Sequence, residues 1–181
     1  MGSIEVKYDI IKDKYGFESK ELKDCKRMIH EKDSINSSRV ESIINMYDWL
    51  GAKVIGYQGD KTLAIVIQHS RLSVQKKYLP ILRDAVKNGN ALPEDLVFLE
   101  DRIEIQLGRK QKYGSQVINQ DHKTLQYFVE PIESPNNIDK IRAEVGLPKL
   151  SEYLKMWDIK WDIKEYKKDL PKIEQILKRD K

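Results

Sequence analysis

At 181 residues the chain has room for one domain with a proper core and not for two. Hydrophobic residues make up 40% and charged residues 34%, a balance that excludes a disordered chain. Net charge is +4, mostly from a tail whose lysines alternate with acids, which is a solvated surface and not the one-sided basic patch of a nucleic-acid binder.

Along the chain, Ile4, Val6, Tyr8 and Ile10 alternate with Glu5, Lys7 and Asp9, which predicts a half-buried strand. A charged helix follows over 19–30. Ser37 or Ser38 then caps a helix running to Leu50, with Gly51 as its stop. The apolar run Leu63–Ile67 favours a buried strand by its β-branched content, although a fully buried helix gives the same pattern. Ser73 opens a helix that Asn88-Gly89 ends, with Pro80 inside it as a possible break. Pro93 suits a first helical turn, and Leu92, Leu96, Leu99, Ile103 and Leu107 mark the best-defined helix, closed by Gly108. Residues 113–118 and 124–132 read as a hairpin around a polar turn at 119–123. Short helices are expected from Ser134 to Val145 and from Leu150 to Met156. The tandem repeat Trp157-Asp-Ile-Lys and Trp161-Asp-Ile-Lys is one-sided only as a strand, expected to share a small sheet with the N-terminal strand. Pro171 then starts a last helix. The fold class is α+β, predominantly α-helical: a helical core with a small antiparallel sheet or hairpin, one domain over 1–181.

Several chemistries are poorly served. Cys25 is the single cysteine, which excludes an internal disulfide framework and fits a reducing compartment. The three histidines have no paired spacing, so no metal site is expected. No cofactor is expected either. Gly56 to Thr62 lacks the spacing of a phosphate loop, and Asp60 intrudes. Tyr113-Gly-Ser115-Gln lacks the second glycine of a nucleophile elbow. No apolar run is long enough to span a membrane and no leader opens the chain, so a cytoplasmic location is expected.

The polar density lies elsewhere. Asp101 to Gln116 gathers a carboxylate, a guanidinium, amides, a phenol and two glycines into sixteen residues. Upstream, Gln68-His69 ends an apolar element and Gln75 follows. His69 reads as a general acid or base, or as a core histidine with one hydrogen bond. Asp101 and Arg102 read as an orienting carboxylate and an anion clamp, or as charges on an exposed helix face. Gln68, Gln75, Gln111, Ser115 and Gln116 offer polar contacts to substrate, and Tyr113 a hydroxyl.

In these motifs the chain resembles a family of bacterial proteins of unknown function, mainly helical and single-domain. The shared features are Gln68-His69, Gln75, Leu99-Glu-Asp101-Arg102, Gly108 and Gln111-Lys-Tyr113-Gly114-Ser115-Gln116. Pro131-Ile132-Glu133, Arg142 to Tyr153, and Asp33 with Asn36 are similar too. The resemblance covers about 20–155, with 156–181 as an extension, and implies that 63–68 is helical. Ser115 stands where the family usually has threonine.

The expected function is that of a hydrolase or group transferase on a small polar or anionic substrate. His69, Asp101 and Tyr113 would be catalytic, and Gln68, Gln75, Arg102, Gln111, Ser115 and Gln116 would bind substrate. The alternative is a non-catalytic small-molecule or peptide binding module. In a third reading the polar cluster ties the hairpin to the helices. A small-molecule ligand is the expected partner; a nucleic acid or membrane is not, and oligomeric state is not written in the sequence.

Overall fold

The computed structural model describes residues 4–16, 18–119 and 127–179. They form eight α-helices and one two-stranded antiparallel sheet, the predominantly helical α+β class that the periodicities predict. The N-terminal strand is not there: Ile4–Tyr15 is a helix, α1. The same stretch also carries Tyr8, Ile11 and Tyr15 at helical spacing. Tyr8 and Ile11 are half-buried, whereas Ile10, one of the alternating set, is 58% exposed.

The next helix, α2, runs unbroken over Lys20–Tyr47 where two separate helices were expected. Ser19 caps it, its hydroxyl oxygen accepting from the Leu22 N–H at 3.2 Å. Ser37 and Ser38 lie inside α2 and do not cap it. The hydroxyls of Ser38 and Ser42 donate to the carbonyls of Ser34 and Ser38 at 3.0 and 2.9 Å, which absorbs a serine inside a helix. Asp48, with φ 62°, ends α2 before Gly51. Gly51 instead opens α3, Ala52–His69, which is kinked at Gly56. Residues 63–67 are therefore helical, as the resemblance implies and against the strand reading. Leu63, Ala64 and Ile67 are buried, but Ile65 is 45% exposed, so the run has an outer side after all.

Helix α4, Leu72–Lys87, passes through Pro80 without a break; that proline lies on the exposed side. Helix α5, Pro93–Gln106, carries its proline in the first turn. Helices α2 to α5 enclose one core, built on Val40, Ile44, Ile67, Tyr78, Leu82 and Leu99. At its end the Trp49 indole N–H donates to buried Asp60 at 2.9 Å.

After α5 come β1, Val117–Asn119, and β2, Tyr127–Val129, in antiparallel register with Ile118 opposite Phe128. This is the expected hairpin; residues 120–126, which include most of the expected turn and the start of its second segment, lie outside the described residues. A 3₁₀ turn at Pro135–Asn137 leads into α6, Ile138–Glu144. Helix α7, Leu150–Tyr153, passes into a second 3₁₀ turn, Leu154–Trp157. The tryptophan repeat is not a strand and adds nothing to the sheet. Asp158 takes up a left-handed conformation at φ 55°, and the Asp162 carboxylate accepts from the N–H groups of Lys164 and Glu165 at 2.7 and 3.1 Å. That starts α8, Ile163–Arg179, well before Pro171. The one-sided pattern keeps its packing meaning: Trp157, Ile159 and Trp161 pack against a second core of Phe128, Ile132, Leu150, Leu154, Tyr166 and Ile173.

Gly51 sets the approach of the α2–α3 corner to the loop before α5. A Cβ there would lie 2.5 Å from the Asn90 carbonyl oxygen. Gly51→Ala is therefore expected to cost about 2 kcal/mol or more, seen as a melting temperature lower by roughly 4–8 °C. An unchanged melting temperature would show that the corner yields.

Candidate functional site

The site grows from the end of α5. Gly108, with φ 75°, turns the chain back along the helix it has just left, and residues 111–116 run over the Asp101 side of α5. Asp101 is fully buried. One carboxylate oxygen accepts from the N–H groups of Lys112 and Tyr113 at 2.8 and 3.0 Å, and the other from Ser115 at 2.9 Å. Burial pushes this carboxyl above the usual range, and the amide donors pull it back down. Gly114 is needed twice over, for its φ of 73° and because a Cβ there would sit 3.1 Å from the Leu150 side chain.

Gln111, also fully buried, acts as a strand-like bridge. Its amide nitrogen donates to the carbonyls of Gln116 and Glu130 at 3.0 and 2.8 Å, and its amide oxygen accepts from the Gln116 N–H at 2.8 Å. Tyr113 is buried with its backbone in use at both ends: the N–H goes to Asp101, and the carbonyl accepts from Arg142 Nη1 at 2.8 Å. Ser115 Oγ accepts from the Gln116 side chain at 3.1 Å, and the Ser115 carbonyl from the Tyr153 hydroxyl at 2.9 Å.

The second group lies at the corner of α3, α4 and α5. The Gln68 carbonyl accepts from Gln75 Nε2 at 2.9 Å and from Arg102 Nη1 at 3.3 Å. Gln75 also donates to the Ser70 carbonyl and accepts from Gln106 at 3.1 Å. The Gln68 side chain reaches the Asp95 carbonyl at 3.3 Å. His69 is exposed at the end of α3. The nine residues singled out in the sequence thus fall into two groups: Asp101, Gln111, Tyr113, Ser115 and Gln116 in the loop, and Gln68, His69, Gln75 and Arg102 at the helix corner.

Glu130, just after β2, was not singled out. It is 8% exposed, and its Oε2 has no hydrogen-bonding partner among the described residues; neither does Arg102 Nε. Burial pushes the Glu130 carboxyl up to about 7, with the positive charge of Arg102 opposing it. Burial likewise lowers the Arg102 pKa, partly offset by Glu130 and Tyr153. The signal in the sequence was one acid within the apolar run Tyr127-Phe-Val-Glu-Pro-Ile132, a charge placed where a strand has none to spare.

Beside the loop a cleft of about 350 Å³ is lined by Phe98, Ser115, Arg142, Leu147 and Tyr153 and by the first turn of α5. Arg142 is 1% exposed and fully engaged with structure: Nε donates to the Pro148 carbonyl at 2.7 Å, and the guanidinium lies 4.9 Å over the Tyr153 ring. Among the described residues no cluster of three or more His, Cys, Asp or Glu is placed to hold a metal ion. No helix among them is long and apolar enough to cross a membrane.

Fold and site together define a mainly helical α+β protein whose signature loop is clamped onto one helix, with Arg102 and Glu130 each keeping one buried side-chain atom without a hydrogen-bond partner among the described residues. The chain belongs to a family of unknown function, DUF6624, which it matches over residues 8–165. No curated protein and no solved structure matches it.

The carboxylate of Asp101 is expected to carry stability. Asp101→Asn leaves one acceptor oxygen for donors on two sides and turns an NH₂ group toward one of them. It should lower unfolding free energy by about 3 kcal/mol in urea denaturation. Unaltered stability would place the role of Asp101 in ligand chemistry instead.

Proposed function

We propose that the protein is an enzyme, a hydrolase or group transferase of acid–base type, acting on a small polar or anionic substrate at the Arg102–Glu130 centre. One observation carries this reading. Arg102 Nε and Glu130 Oε2 are buried without a partner, while the amides and carboxylate around them are bonded. Leaving such groups unmet costs about 1–3 kcal/mol each, a cost that a ligand with matching acceptor and donor atoms removes. A guanidinium suits an anionic oxygen. A carboxyl that holds its proton to about pH 7 suits proton transfer near neutrality.

In this scheme Arg102 anchors the anionic group and Glu130 gives or takes the proton. His69, exposed at the end of α3 next to Gln68, whose carbonyl Arg102 contacts, serves in this scheme as the second acid–base group. Asp101, Gln111, Tyr113, Ser115 and Gln116 act by position, holding the loop on which Gln116 pairs with the Glu130 N–H at 3.1 Å. Gln68 and Gln75 likewise position Arg102. A cytoplasmic location belongs to the same reading. The rival, a binding module without chemistry, draws on the largely apolar cleft at Phe98 and Tyr153.

A thermal-shift screen of small carboxylates and phosphates separates the two. Hits on wild type should lose their shift in Arg102→Gln and Glu130→Gln. Shifts retained in both variants, or hits displaced by blocking the Phe98 cleft with Val97→Trp, would favour the module. Stability offers an independent check. Glu130 binds its proton more tightly folded than unfolded, so its burial costs nothing below about pH 4 and progressively more up to about pH 7. Glu130→Gln should therefore match wild type at pH 4 and exceed it by up to about 3 kcal/mol at pH 8. Equal stability at both values would remove the buried carboxyl from the scheme.

A further inference from the structure

The tryptophan repeat has no part in that centre, yet it helps to build a cleft of its own. About 510 Å³ opens between β2 and the segment from Trp157 to α8, walled by the rings of Phe128, Trp157, Trp161 and Tyr166. This is ligand-sized. The Trp161 and Tyr166 rings pack 5.0 Å apart at 45°, so the wall is held in place. Trp157 and Trp161 line the cleft and remain only half-buried, with the Trp157 ring packed 5.0 Å from that of Tyr153.

The same cleft is lined by four carboxylates, of Asp158, Asp162, Glu165 and Asp169, against one lysine, Lys160, in a chain that is basic overall. Two of the four have structural work: Asp162 caps α8, and Glu165 lies 3.5 Å from Lys168. Asp158 and Asp169 make no ion pair among the described residues. The lining itself offers an anion more carboxylates than ammonium groups, and ring faces give a bare metal ion few oxygen ligands. Ring faces with carboxylates nearby favour a bulky, weakly hydrated cation. The fold already uses that attraction on one of these rings, because Lys172 Nζ lies 4.8 Å over Phe128.

We propose that this cleft binds a small organic ammonium ion, with Trp157 and Trp161 as ring contacts and Asp158 and Asp169 as counter-charges. The site is separate from the Arg102–Glu130 centre and stands or falls without it.

Tryptophan fluorescence reads the binding, since Trp157 and Trp161 line the cleft while Trp49 is buried against Asp60. The intact protein is titrated with choline, tetramethylammonium and cadaverine, and with 3,3-dimethylbutan-1-ol as the uncharged isostere of choline. At least one cation should give a saturable change that salt weakens, and the alcohol should give none. The double variant Asp158→Asn, Asp169→Asn should bind that cation roughly fivefold or more weakly at an unchanged melting temperature. Asparagine tolerates the left-handed backbone at 158, so this variant removes the charges without straining the fold. No saturable response to any of the three cations, an equal response to the alcohol, or undiminished binding by the double variant would each overturn the proposal.

Discussion

Three backbone N–H groups converging on the buried carboxylate of Asp101 are the constraint on which the second half of the chain depends. Residues 112–115 have no ladder partner of their own, and buried amides left unbonded are costly. Asp101 supplies the missing acceptors from a helix side chain, so the loop needs no strand to be ordered. Once it is fixed, the Tyr113 carbonyl is placed for Arg142 and the Ser115 carbonyl for Tyr153. Through these contacts α6 and α7 are docked, and Gln111 aligns the loop with the residues after β2.

That saturation gives the Arg102–Glu130 centre its meaning. A buried polar group without a partner is unexceptional in a loosely bonded region. Here it sits beside Asp101, Gln111 and Gln75, whose side chains are bonded, although Asp95 Oδ2 at the helix corner is also buried without a partner among the described residues. Proteins tolerate such local cost where binding or chemistry removes it. Glu130 is held firmly, since its own N–H and carbonyl bond to Gln116 and Gln111. The rigidity of the loop thus orients the one carboxyl that the loop does not use.

The helices α4 and α5 were legible in the sequence, from their apolar spacing and their glycine and proline boundaries, and so was the hairpin. The failures share a cause. Segments 4–10 and 157–163 alternate in hydrophobicity, and alternation was read as β pairing; a strand also needs an edge to pair with, which no local pattern reveals. The serines near 37 were read as caps, although a hydroxyl has an equal option inside a helix. The signature polar residues stood out by density, but density does not distinguish a side chain that meets a ligand from one that meets backbone. Glu130 was missed because its peculiarity is burial without a partner, a property of three dimensions.

The Asp101-Arg102 dipeptide condenses the problem. Successive residues on a helix point about 100° apart, so neighbours in sequence serve different surroundings. Asp101 faces the returning loop and is consumed by it. Arg102 faces the α3 corner, where one hydrogen bond to the Gln68 carbonyl leaves its Nε unmet. The two positions thus answer to different demands: the acid to the amides it already binds, and the arginine, in the proposed scheme, to the ligand it would anchor.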